Sequence, residues 1–131
     1  MNILLSLKHI NNDFIFFGDP IKNSIIENGT FTRLIYSDHF MTLNGMYIWF
    51  DSIELSQREM IEILIELEKT ILFKIDVVHK NAQYKIREYL KHLTAKSLDE
   101  FKLNKCILKI SGIWETKIEY GITFKFLELN S

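Results

Sequence analysis

Two groups of side chains in this 131-residue chain have types and spacing that suit chemistry with a ligand. The first is basic. Lys80, Tyr84, Arg87 and Lys91 recur at spacings of four, three and four, which on a helix lines them along one side. From His79 to Lys96 there are five Lys or Arg and one acid, Glu88. Such cations neutralise phosphates and release counterions, and a tyrosine among them can stack on a base. The competing reading is an ordinary amphipathic helix whose solvated side is basic. The formal net charge of -1 places compensating acidic surface elsewhere. The second group is aromatic. Tyr47 and Trp49 alternate with Met46, Ile48 and Phe50, so a strand there is apolar or aromatic on both faces. One face suits a helix; the other is either equally buried or a binding surface.

Residues for catalysis are poorly placed by comparison. His9, His39, His79 and His92 are not paired with a cysteine or another histidine at metal-ligand spacing. Ser37-Asp38-His39 holds the residue types of a triad, but consecutive residues cannot point at one another as a triad requires. Glu62, Glu66 and Glu68 read as the solvated side of a long helix, not as a carboxylate pair in a cleft. The five glycines stand alone and form no phosphate loop. No catalytic residue, metal ligand or cofactor is assigned.

The elements that must position these groups are legible in part. Strands are expected over Asn2–His9, Phe14–Phe17, Thr30–Tyr36, Phe40–Leu43 and Met46–Phe50. Asn28-Gly29 and Asn44-Gly45 are turn signals, and the second predicts a hairpin with a type I′ turn. Ser56 and Glu59 form a capping box ahead of Met60, Leu64, Leu67 and Ile71, which predicts a helix to about Ile75. A second helix is expected over Asn81–Leu93. The chain should close on an antiparallel hairpin, Cys106–Trp114 with Tyr120–Leu127. In its alternation Cys106, Leu108, Ile110 and Trp114 share one face, and Lys109, Ile107 and Ile113 the other. Lys109 and Lys125 then become neighbours across the hairpin and extend the basic track.

Bulk properties bound the answer. Length suits a single α+β domain over residues 1–131, and 47% hydrophobic with 25% charged residues is ordinary for a packed core. The lone Cys106 excludes an intrachain disulfide and reads as a small core residue. The Met1–Ile10 run lacks the basic start and cleavage site of a signal peptide, and no apolar run nears the ~20 residues of a membrane span. A soluble intracellular protein without membrane contact is expected. The order of strands, helical insertion and hairpin predicts an antiparallel sheet with helices on one face, or an OB-like small barrel.

Three stretches carry a resemblance. They are Asn28-Gly29-Thr30-Phe31-Thr32-Arg33-Leu34-Ile35-Tyr36-Ser37, then Leu43-Asn44-Gly45-Met46-Tyr47, then Lys109-Ile110-Ser111-Gly112-Ile113-Trp114-Glu115 with Tyr120-Gly121-Ile122-Thr123-Phe124-Lys125-Phe126. Over about residues 23 to 127 the chain resembles small proteins of unassigned function from large nucleocytoplasmic DNA viruses. The resemblance implies an infected-cell protein acting in viral DNA metabolism, virion assembly or host antagonism, and it assigns no residue a role. The expectation is a non-enzymatic nucleic-acid-binding module of single-strand type. Lys80, Arg87, Lys91, Lys109 and Lys125 would contact phosphates and Tyr84 would stack. The alternative is a protein-interaction or virion structural module, pairing with itself or another viral protein through Tyr47, Trp49 and exposed Ile107 and Ile113.

Overall fold

The computed structural model describes residues 3–22, 29–51, 55–95 and 105–128. Asn28 of the expected Asn28-Gly29 turn and the Lys96 extension of the basic stretch fall outside them. Within them the chain is α+β: two helices and a mixed, open sheet rather than a closed barrel.

Helix α1, Gln57–Ile75, forms where the capping box predicts. The Ser56 hydroxyl accepts from the Glu59 N–H at 3.1 Å, and the Glu59 carboxylate accepts from the Ser56 N–H at 3.3 Å. Two of the helix's otherwise unpaired donors are thereby satisfied. The helix stops at Asp76, which adopts left-handed φ of 51°. Met60, Leu64, Leu67, Ile71 and Leu72 are buried, and Glu62 and Glu66 face outward.

The sheet is organised around β8, Lys105–Glu115. One edge of β8 pairs antiparallel with β9, Glu119–Glu128, as the expected hairpin. The other edge is divided. Lys105–Ile110 pairs with β6, Met46–Asp51, and Gly112–Glu115 pairs with β4, Thr30–Ser37. The sheet therefore forks. Beyond the fork β4 pairs with β5, Thr42–Asn44, on one edge and with β2, Ile15–Phe17, on the other. A short β3, Ile21–Lys22, also borders β4. The outer strands β1, Leu4–Ser6, and β7, Asn81–Gln83, pair parallel with β6 and β9, which makes an expected antiparallel sheet mixed. The strand expected over Asn2–His9 is shorter than read, giving way to a 3-10 turn at Leu7–His9.

The fork overturns the Asn44-Gly45 hairpin. β5 and β6 do not pair with each other; each pairs with a different strand. A type I′ turn needs positive φ at both central residues, and only Gly45 has it, at 80°. Gly45 is a kink at the junction. Its N–H donates to the Leu34 carbonyl at 2.7 Å, and a Cβ there would come within 2.9 Å of the Ile110 carbonyl oxygen. Gly45→Ala is expected to cost about 1–3 kcal/mol, from left-handed strain plus this collision. A urea titration that places the variant within about 0.5 kcal/mol of wild type, inside the range of ordinary surface substitutions, would remove the junction role.

A β-bulge between Ile110 and Gly112 corrects the facing of β8. The extra residue, Ser111, reverses the alternation beyond it. Ile113, expected on the Lys109 face, is wholly buried among the core residues. Trp114, expected in the core, turns to the opposite face. Ile107 is only 9% exposed, so neither isoleucine is the exposed contact that the interaction reading relied on. On the helix side the sheet presents Leu34, Tyr36, Met46, Ile48, Phe50, Leu108, Ile110, Ile113 and Ile122, continuous with the buried residues of α1 and of α2, Lys85–Ala95. Cys106 lies in this core, as expected.

Candidate functional site

The basic stripe is broken by backbone geometry. Asn81–Gln83 is extended and pairs parallel with β9, so the second helix begins at Lys85 and not at Asn81. Lys80 precedes β7 and is no part of a helix face. Its ammonium meets the Glu115 carboxylate at 3.1 Å, with both side chains largely buried. Tyr84 immediately precedes α2 and Arg87 lies in its first turn, with the Arg87 guanidinium 4.7 Å from the Tyr84 ring centroid; Lys91 follows one turn further along the helix.

Glu68 explains why α2 starts there. Read from sequence as solvated, it is wholly buried on α1. Its two carboxylate oxygens accept from the backbone N–H groups of Ile86, at 2.7 Å, and Arg87, at 2.9 Å. These are donors of the first helical turn, which have no partner within the helix. Burial pushes the Glu68 carboxyl above its ordinary range, against the opposing pull of those two bonds and of Arg87. The signal available in sequence was position: Glu68 follows Leu64 by four residues and precedes Leu72 by four, inside the apolar stripe.

The second group, Tyr47 and Trp49, leads to a more coherent surface. Residues paired across strands project from one face. Tyr47, Lys109 and Lys125 are register partners, so they form a row over β6, β8 and β9, reached from β1 by Leu4. Trp49, Ile107 and Leu127 form the next row. Past the bulge, Phe31 pairs with Trp114, and Arg33 with Gly112. None of these residues joins the cluster that packs against the helices, although Ile107 is itself buried, so both helices lie on the other face. Sequence reasoning missed Phe31, Arg33 and Trp114, because only the bulge and the fork bring them here. Gly112 and Gly121 make the close approach possible. A Cβ on Gly121 would lie 2.7 Å from the Trp114 ring, and one on Gly112 would lie 2.7 Å from the Phe31 ring.

The electrostatics of this face are one-sided at its centre. Arg33, Lys109 and Lys125 are its central cations, and by strand alternation Asp51 and Glu119 sit at its ends. Lys109 stands directly opposite Lys125, a like-charge pairing that costs stability in a sheet. The Lys109 ammonium is 5.5 Å from the Tyr47 ring centroid. At the fork, Phe31, Arg33, Asn44, Tyr47, Lys109 and Ser111 surround a shallow cavity of about 310 Å³. A larger hollow of about 410 Å³ lies beside α1 and is lined by Lys69, Thr70, Phe73, Tyr84 and Tyr120. Its one lysine already has an acid, Glu66, 4.0 Å away, so it offers an anion less than the fork does.

The triad types do separate work. Ser37 shares a hydrogen bond with Thr42 at 2.8 Å, Asp38 accepts from the N–H groups of Phe40 and Met41, and His39 packs edge-on to Phe14. They build the β4–β5 turn, a polar turn as expected. Among the described residues no cluster of three or more His, Cys, Asp or Glu could hold a metal, and no helix is long and apolar enough to cross a membrane. Comparison with models of known protein families, with curated proteins and with solved structures finds no match to this chain.

Proposed function

We propose that this chain is a non-enzymatic module that binds single-stranded nucleic acid on the sheet face opposite its helices. The observation that supports this most is the row of Tyr47, Lys109 and Lys125 between Trp49 on one side and Phe31, Arg33 and Trp114 on the other. Base faces stack on aromatic rings without regard to sequence, and cations beside them follow the phosphates. Duplex grooves offer no such stacking, which favours single strands. The reading does not need an OB-like barrel, since an open sheet offers the same platform. It also gives a physical use to the implied role in viral DNA metabolism. Lys80 has no part in it, being held by Glu115. Tyr84, Arg87 and Lys91 lie in the helical layer and would add contacts only to a strand that leaves the sheet face.

The test is fluorescence anisotropy of labelled single-stranded and duplex oligonucleotides over a salt series. Three phosphate contacts on single strands give a slope of log K against log salt near ~-2. Single strands should bind more tightly than duplex. Absence of binding at low salt, with a defined oligomer in light scattering, would instead favour the same aromatic face as a protein interface.

A further inference from the structure

We infer that the hollow beside α1 is a binding site for a small organic cation of the methylated-ammonium class. It is separate from the sheet face and independent of the nucleic-acid reading. Its volume of about 410 Å³ lies in the range of small-molecule pockets. One wall is a stripe of α1, where Glu66, Thr70 and Phe73, with Lys69 beside them, recur at helical spacing. The other wall comes from the β7–β9 pair. Tyr120 is the register partner of Ala82, and Tyr84 follows Ala82 by two, so both tyrosines project from the face that carries the helices.

The Tyr120 hydroxyl is what points to an occupant. The residue is only 9% exposed and lines the hollow, yet among the described residues its hydroxyl has no hydrogen-bond partner. Thr32 is also buried without a partner, but its oxygen is sealed from solvent inside the sheet. A buried hydroxyl that fronts a cavity is completed by whatever fills the cavity. Three rings then select a cation. Phe73, Tyr84 and Tyr120 line the same hollow, and the face of an aromatic ring attracts positive charge. Tyr84 displays that attraction already, with the Arg87 guanidinium 4.7 Å from its centroid. The local field has the matching sign. Burial pushes the Tyr120 hydroxyl above its ordinary value, and Tyr84, Asp76 and Glu115 add to the shift. Surroundings that disfavour a phenolate disfavour any anion and suit a cation. The lysines nearby are matched, Lys69 by Glu66 at 4.0 Å and Lys80 by Glu115 at 3.1 Å.

The experiment titrates the protein, by ligand-observed NMR, with choline and with neohexanol, the neutral alcohol of the same shape in which carbon replaces nitrogen. Wild type is expected to bind choline about tenfold more tightly than neohexanol. Phe73→Ala should weaken choline by roughly threefold or more. It should also melt with wild type, since Phe73 is exposed. Tyr120→Phe keeps the ring and removes the hydroxyl, so it should weaken both alcohols alike and leave their ratio unchanged. Equal binding of the two alcohols by wild type would overturn the cation assignment. Choline affinity unchanged in both variants would place the cation elsewhere and overturn the site, as would no choline binding at ~10 mM. Oligonucleotide affinity of Phe73→Ala should match wild type, so the failure of either reading leaves the other standing.

Discussion

Glu68→Ala is expected to lower the unfolding free energy by about 3 kcal/mol, which is a large share of the stability of a chain this size. The substitution removes one acceptor group that serves two N–H donors, those of Ile86 and Arg87. A donor left unpaired away from water costs roughly 1–3 kcal/mol, and loss of a helix cap alone about 1 kcal/mol. Glu68→Gln keeps the volume and one carbonyl oxygen but turns an amide NH2 toward the other N–H, so about half the loss should remain. Urea titrations of the three proteins check this. An alanine variant as stable as wild type would mean that α2 is held by its apolar contacts alone.

The same residue gives a pH dependence with a definite sign. Its folded carboxyl binds a proton more tightly than the ordinary value of 4.5, chiefly because it is buried. The charged groups facing it are Arg87, which opposes the shift, and Glu88, which adds to it. A raised folded value means that the folded state holds the proton where the unfolded state has released it. The stabilising contribution is therefore full below the unfolded value and declines as pH rises through the folded one. The stability of wild type relative to Glu68→Gln should fall over that window, and a difference that grew with pH would contradict the assignment.

The double substitution Lys109→Glu, Lys125→Glu is expected to weaken single-strand binding by about a hundredfold at ~50 mM salt and to flatten most of the salt slope. Its value as a test lies in the register. The two lysines are already a like-charge pair, and two glutamates in their place keep the pairing like-charged. The fold should lose little, so a binding defect cannot be blamed on unfolding. The single substitution Lys109→Glu separates the effects further. It creates an opposite-charge pair with Lys125, worth a few tenths of a kcal/mol to stability, while removing a phosphate contact. Higher melting temperature with weaker binding is the expected combination. Unchanged affinity in the double variant would move the contact surface to Tyr84, Arg87 and Lys91.

What could be read from sequence was what is decided locally. The capping box at Ser56 and the stripe from Met60 to Ile71 are satisfied within a few turns of chain, so α1 was legible to within a residue or two. The β8–β9 hairpin was legible because its strands are adjacent in sequence. Asn44-Gly45 has the right chemistry for a turn, but the choice of partner for Met46–Asp51 is made by residues about sixty positions later. The bulge at Ser111 is invisible to alternation, and it alone moved Trp114 out of the core and Ile113 in. Glu68 was misread because a carboxylate is more often solvated than buried, and its two donors come from another helix. The site followed the same division. Tyr47, Trp49, Lys109 and Lys125 were legible as candidates in isolated strands. Phe31 and Arg33 joined them only through long-range pairing.

The central place of β8 has a further consequence for how the chain comes together during synthesis. Four of the strands, β1, β6, β4 and β2, are made early, yet none of them can reach its neighbour across the fork until residues 105–115 have left the ribosome. β6 and β4, the two strands that carry Tyr47, Trp49, Phe31 and Arg33, thus each wait with the edge meant for β8 unpaired. Closure over so long a separation is entropically slow, and the waiting strands are the species most open to pairing with the wrong chain. The interval between synthesis of its first half and arrival of the strand that joins it is therefore when this chain is most open to mispairing.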